Sequence, residues 1–367
     1  MNIRQFLTEV GAAEARAFSQ LYPIQRPDFL GDKFFPDSKT QNFKFTWTQR
    51  SGADLATGPA PVHALDTEAE IAVRPALEQI KAESLFIKEK IDQSEKLRRA
   101  LRLIDNRSDE VLIESIFNDW ATLAANVKLR TELMKTELLA KGTLTIRENN
   151  LDQQIDFGVP ETSIDVEMDW SSADANIIKD IKDMVKLGRA NGLVPNTAIV
   201  GADTYEAILA NESVVQLVAY QGNALNIYND QVKLDAIELA TGVRLVKCDQ
   251  TYRVPTKNGF EVKDMIDPAT FSLFYTENGK AGDGIWGVTP EEEEYGPWDS
   301  KSANQFITLT MWSEPDPVIT WSKASGMFLP TLPYALGSVI GKITLTADDD
   351  EEGGDEEGGE EGGGTEP

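Results

Sequence analysis

Apolar and polar residues alternate in "NFKFTWTQ", where Phe43, Phe45 and Trp47 are separated by polar neighbours. A period of two places the three aromatics on one face of a half-buried strand. "SGADLATGPAPVHALD" then interrupts the pattern with Gly, Pro and Ala and reads as a long connection. "TEAEIAVRP" resumes an extended course. Residues 76–105 carry both periodicities. "SLFIKEKI" alternates like a strand, while the longer stretch has helical spacing, and a helix is expected after Asp92.

The clearest helix is "SDEVLIESIFNDWATLAANVKLRTELMKTELLAK", residues 108–141. Ile113, Ile116, Phe117, Trp120, Ala124, Val127, Met134 and Leu138 form its apolar stripe. Ser108 suits the N-cap, Asp109 and Glu110 suit the positive end of the dipole, and Lys141 with Gly142 marks the stop. At 1.5 Å per residue it is roughly 50 Å long. A helix of that length needs support along its whole course, which favours a backbone role in an extended subunit.

"GTLTIRENNLDQQIDFGV" then reads as a hairpin. "SSADANIIKDIKDMVKLGRANG" is a second amphipathic helix, with Ile177, Ile178, Ile181, Met184 and Val185 inward and Gly192 near its end. "NTAIVG" is a short buried strand, "ADTYEAILANESVVQLV" a helix and "VKLDAIELATG" another. "VRLVKCDQTYRV" and "FSLFYT" are strands, and "QFITLTMWSEPDPVITW" is strand, turn, strand. Helices and strands mix without a regular parallel-crossover rhythm, so the fold class is α+β.

Both ends depart from this pattern. Near the start, "YPIQRPDFLGDKFFP" has three prolines and reads as an irregular arm. It exposes Phe29, Phe34 and Phe35, which then need another surface to cover them. At the end, "DDDEEGGDEEGGEEGGGTEP" (348–367) holds eleven acids, no base and no large apolar side chain. Such a segment cannot offset its ordering entropy and is expected to be disordered.

Composition narrows the function. The 367 residues carry a formal charge of -26 with a pI near 4.4. Nucleic-acid grip needs clustered Lys and Arg, so DNA nearby would be repelled rather than held. The single cysteine, Cys248, excludes an intrachain disulfide and a thiolate metal cluster, and its strand context suggests a small buried hydrophobe. The N-terminus lacks a secretory pattern, and no run approaches 18 apolar residues, so a cytoplasmic, soluble chain is expected.

No reaction is legible. The only histidine, His63, lies in the loop "GPAPVHALD" and reads as an ordinary loop residue. Sixty-one acids deprive any two-carboxylate spacing of meaning. "EEEE" at 291–294 reads as a solvated face or turn. "GKAGDGIWG" lacks the Gly-Lys-Ser/Thr ending and the following helix of a phosphate loop, so it reads as a tight turn. No catalytic, cofactor-binding or metal-ligating residue is assigned.

The ordered motifs resemble a known family. "LRTELMKTELLAKGTLTI" is similar to the signature of the lambda-type major capsid protein family, the match falling on Arg130, Glu132, Met134, Leu139, Gly142 and Ile146. "IDFGVP", Trp170, "ADANIIKDIKDM" and "NGLVPNTAIVG" continue its order. "VTPEEEEYGPWDSKS" and "WSEPDPVITWSKASGMFLP" resemble its closing segments. The resemblance runs from about residue 20 to 345. It implies the Hong-Kong-97-type capsid fold of tailed phages. The N-terminal arm would be 1–40, the extended loop hairpin 41–92, and the peripheral domain 93–189 with its spine helix. The axial domain would span 190–305, and 306–347 would return to the peripheral domain ahead of the acidic tail.

The implied function is the major head protein of a double-stranded DNA phage, virion-located and made in the host cytoplasm. Its first partner is itself, in pentamers and hexamers; a portal protein and a maturation protease follow. Scaffolding is expected from a separate protein, since the chain has no room for the fused segment some relatives carry. The loop tip "SGADLATGPAPVHALDTEAE" has no lysine, so no autocatalytic isopeptide is expected; a decoration protein is the alternative fastening. Packaged DNA would lie nearby without specific binding, and no membrane is involved. Candidate inter-subunit contacts are Phe34, Phe35, Phe43, Phe45 and Trp47, with Met327, Phe328 and Leu329, for which a core role is the competing reading. The acidic tail could face outward or toward the genome. An encapsulin-like compartment of the same fold and a soluble acidic enzyme are the rival functions.

Overall fold

The computed structural model describes residues 29–42, 44–50, 62, 77–95, 108–172, 174–219, 229–256, 259–295 and 306–345. The described chain begins with one helical turn, α1 (Leu30–Phe34), and a short strand, β1 (Asp37–Lys39). β2 (Lys44–Arg50) and β3 (Leu77–Glu83) pair as an antiparallel hairpin, from Lys44 opposite Glu83 to Arg50 opposite Leu77. After Ser84 the course continues as β4 (Leu85–Gln93). The spine helix α2 (Ser108–Lys141) follows, then the hairpin of β5 (Thr143–Glu148) and β6 (Leu151–Asp156).

Gly142 ends the spine. It adopts the left-handed conformation at φ 67°, and its N–H donates to the Leu138 carbonyl at 2.8 Å. A Cβ there would lie 2.6 Å from Val159 Cγ2 and 2.9 Å from Ile340 Cδ1, so both backbone and space require glycine.

The chain then passes through β7 (Val166–Asp169), α3 (Ile177–Ala190) and β8 (Thr197–Gly201). The expected single helix after β8 is two: α4 (Ala202–Ala210) and α5 (Glu212–Ala219). Asn211 separates them because its backbone turns extended, at ψ 139°, and its Oδ1 accepts from the Ser213 N–H at 2.9 Å, capping the second helix. Next come α6 (Asp230–Thr241), β9 (Arg244–Cys248), β10 (Thr251–Thr256), β11 (Gly259–Asp264) and β12 (Thr270–Phe274). The described chain closes with β13 (Gly284–Gly287), α7 (Pro290–Tyr295), β14 (Thr308–Pro315), β15 (Val318–Pro330) and β16 (Val339–Thr344).

Among the described residues the larger sheets are two, each of five strands, with two apolar cores. The first sheet runs β1-β13-β15-β14, with β4 on the other edge of β15. It packs on the spine helix through Trp120, Leu123, Val127, Trp286, Ala324 and Phe328. The second runs β7-β16-β12-β8-β9 and is covered by α3, whose Ile177, Ile181, Met184 and Val185 meet Val200, Phe271 and Val339.

Each sheet draws on strands from distant parts of the chain. β16 inserts between β7 and β12 of the second. α3 belongs to the second core and β13 to the first sheet. The ambiguity over 76–105 resolves as strand through Gln93, a residue later than the expected helix start. Gln93 is buried opposite Thr320 and donates to Asp119 Oδ2 at 3.1 Å. Glu95 is helical, and 96–107 lie outside the described residues.

Candidate functional site: the arm junction and the extended hairpin

The arm is held by apolar anchors and a buried polar knot. Phe34 and Phe35 are not exposed: they sit at 8 % and 0 % accessibility within the first core, as does Phe29. Phe34 meets Phe274 edge to face at 5.1 Å, and its carbonyl accepts from the Ala281 N–H at 2.9 Å. Burying a phenylalanine contributes about 1.5–3 kcal/mol. The surface expected to cover this arm is therefore the subunit itself, because α1 lies directly on the spine.

The spine face beneath the arm is polar where the sequence stripe suggested only apolar contact. Lys135 is fully buried, and its Nζ lies 2.6 Å from Asp32 Oδ1 and 2.9 Å from Asp37 Oδ1. Lys128 reaches the other Asp37 oxygen at 2.5 Å. Each ammonium also faces an aromatic ring: Lys128 lies 4.8 Å from the centroid of Trp286, and Lys135 lies 5.4 Å from that of Phe328. Burial pushes the Asp37 carboxyl up, but the attraction of Lys135 and Lys128 outweighs it and holds the pKa below the usual value.

Glu132 sits between the two lysines along the helix. Its Oε1 accepts the Gly31 N–H at 2.5 Å, and its Oε2 is buried without a hydrogen-bond partner. Burial raises its pKa to about 7; Asp32 and Asp37 push the same way, against the Gly31 bond and Lys135. Gly31 is required by close approach, since a Cβ would meet Glu132 Oε2 at 2.6 Å and Lys135 Cβ at 2.7 Å. None of Asp32, Asp37, Lys128 or Lys135 was picked out from the sequence. The available signal was their helical spacing (128, 132 and 135 share the face of the apolar stripe) together with the acid-bearing arm "LGDKFFPD".

The β2–β3 hairpin is a separate two-stranded ribbon. Phe45 is 2 % exposed, and its ring approaches Gly287 in the first sheet. It roots the hairpin in the first core of its own subunit. Phe43 and the Trp47 side chain lie outside the described residues, although the backbone places Trp47 opposite Ile80. Nearly all of the loop tip, including His63, is also outside them.

Met327, Phe328 and Leu329 are likewise core residues, at 3 %, 0 % and 0 % exposure. They continue β15 along β13, with β4 paired as far as Phe328; Phe328 faces Lys135 of the spine, and Met327 turns to the other face beside Ser84 and Gly287. At the other end of β15, Trp312 and Trp321 are cross-strand partners stacked at 6.3 Å, and Lys90 sits 3.9 Å above Trp321. The turn between them contains a cis Asp316–Pro317 bond. "EEEE" is not merely a solvated run: Glu291 pairs with Lys323 and accepts from Ser325 Oγ at 3.1 Å.

Cys248 is buried at the end of β9, and burial pushes its thiol up to about 11, so it is not a nucleophile at neutral pH. Among the described residues no cluster of three His, Cys, Asp or Glu could hold a metal ion, and no helix is long and apolar enough to cross a membrane.

No curated protein matches the sequence. Among solved structures, a prophage protein of E. coli CFT073 described as a capsid protein is 17 % identical, with 94 % of this chain and 99 % of that one covered and a TM-score of 0.55. A phage-related protein of Bordetella bronchiseptica RB50 is 12 % identical over 90 % and 96 %, with a TM-score of 0.51. The arm, spine helix, long hairpin and two sheets are those of the Hong-Kong-97-type capsid fold. The family model for phage major capsid protein E matches residues 15–340, spanning the arm junction, the hairpin and both sheets, and the chain belongs to that family.

Proposed function

We propose that this chain builds the icosahedral head of a tailed double-stranded DNA phage and encloses the packaged genome. The observation that carries the reading is the family match over 15–340 on a subunit whose β2–β3 hairpin pairs with no other described strand. A two-stranded ribbon is marginal alone and gains stability by lying on another chain. The strongly acidic composition suits a wall that does not bind the DNA it contains. A portal, a separate scaffolding protein, a maturation protease and a decoration protein complete the proposed partner set.

Expression with scaffolding protein, followed by size-exclusion chromatography and negative-stain microscopy, tests the reading. Closed shells are expected; a small oligomer with turnover on a soluble substrate would overturn it. The shell is fastened without covalent links, since residues 51–76 contain no lysine. Mature particles boiled in detergent should therefore run as single chains. A ladder of linked chains would show that another lysine serves.

A further inference from the structure

Two exposed surfaces on the second half of the chain remain unused by its own packing. The first is the outer face of the β10–β11 ribbon. Arg253 stands opposite Val262 and Pro255 opposite Phe260, so these four side chains share one face. All four are exposed, with Phe260 at 73 % and Val262 at 60 %, whereas Tyr252 and Val254 on the opposite face are half-buried. The second is one face of α6. Val232 and Leu239 are seven residues apart and lie on the same side, at 39 % and 79 % exposure, with Asp235 between them and Glu238 beside them.

We propose that the outer face of the β10–β11 ribbon on one subunit seats on the Val232–Leu239 face of α6 on the next subunit of the shell. The two surfaces match in three ways. Each is apolar at its centre, and apolar patches left open are a cost in a soluble subunit. Arg253 beside the ribbon's apolar pair is opposite in charge to Asp235 and Glu238 beside the helix's, while Asp264, opposite Thr251, lies on the same face at the ribbon's base. Their lengths agree, since a six-residue strand and a twelve-residue helix both span about 20 Å. Because the surfaces differ, the contact is head-to-tail, and repetition around an axis closes a ring. A two-stranded ribbon standing off a sheet is marginal by itself; the neighbour's helix supplies the missing layer. The inference rests on the shell reading above and adds the partner surface to it.

The test uses full-length chains in assembled particles. One chain carries Phe260→Cys and a differently tagged chain carries Leu239→Cys; the native Cys248 is buried and does not react. After co-assembly and mild oxidation, disulfide-linked pairs joining one tag to the other are expected, and a chain with both cysteines should give a ladder. Separately, Arg253→Glu should lower particle yield about tenfold, and adding Asp235→Arg and Glu238→Arg should restore it. Thermal melts of the unassembled variants confirm that the subunit still folds; if Arg253→Glu does not fold, the cysteine pair alone decides. Particles that form without mixed-tag links overturn this contact while leaving the shell reading intact. Links between two Phe260→Cys chains would also overturn it, by making the contact ribbon to ribbon. An unmodified chain that forms no particles overturns the shell reading itself, and this contact with it.

Discussion

Replacing Lys135 with methionine is expected to lower the unfolding free energy of the unassembled subunit by about 3–5 kcal/mol, the usual cost of breaking a buried pair from one side. Methionine keeps most of the side-chain volume and the contact with Phe328, so the change is chiefly electrostatic. Asp37, whose side chain is only 14 % exposed, would retain Lys128 at 2.5 Å but lose its 2.9 Å attachment to the C-terminal part of the spine. Asp32 is 46 % exposed and contributes less, because water screens it. The loss falls at the arm junction: α1 carries both Gly31 and Asp32, which dock on adjacent turns of the helix. Urea unfolding reads the total, and faster proteolysis between Phe35 and Lys39 reads the local release. Lys141→Met on the same helix is the control, since Lys141 is two-thirds exposed and only 4.0 Å from Glu137. If Lys135→Met leaves the urea midpoint unmoved, the knot is not what holds the arm.

The knot also shows where sequence reading stops. The spine helix, its Gly142 stop, the β5–β6 hairpin and the inward face of α3 were legible because each obeys a local period or a capping rule. The turn at Pro315 and Pro317 was legible for the same reason. What a period cannot report is which other segment supplies the cover. Phe34, Phe35 and Phe45 read as apolar surface in search of a neighbour, and Met327 to Leu329 as either that or core. Their partners lie far away in sequence: Phe274 for Phe34, Gly287 for Phe45, and β4 and β13 for the end of β15. Lys135 reads as a solvated helix lysine until Asp32 and Asp37, about a hundred residues earlier, are placed on it. The path of β16 was hidden in the same way, because a strand's sequence does not say which sheet it joins.

Conversely, the two surfaces given to a neighbour above were passed over in the sequence. "VKLDAIELATG" reads only as another helix, and "GFEVKD" is assigned to no element. Only the fold reveals that Phe260 and Leu239 are left uncovered while the aromatics of the arm are not. Aromatic content therefore located the subunit's own seams, and residual exposure located the candidate contacts between subunits.

Subunit stability is expected to fall as pH rises from about 4.5 to about 7, with Glu132 as the cause. Its carboxyl is raised to about 7 when the arm is docked, from 4.5 in the unfolded chain. The folded subunit then binds more protons than the unfolded one in that interval, so the contribution is complete below 4.5 and is gone once pH passes about 7. A shift of that size corresponds to about 3 kcal/mol. Asp37 acts in the opposite sense: its pKa is lowered, so its contribution is present above 3.8 and disappears as pH falls. The charged groups facing Glu132 are Asp32 and Asp37 from the arm and Lys135 from its own helix, with Cys248 of β9 also near. Lys128 acts through Asp37. Glu132→Gln keeps an acceptor for the Gly31 N–H and removes the titrating charge. Any cost of burying the new amide is constant with pH, so it shifts the curve without tilting it. Urea unfolding at pH 5, 6, 7 and 8 should show the native chain losing about 2–3 kcal/mol more than the variant. Parallel curves would mean that the carboxyl is solvated or that another group carries the proton. Divergent curves would tie arm docking to proton uptake, since burial and the nearby Asp32 and Asp37 all favour the protonated carboxyl, against the Gly31 bond.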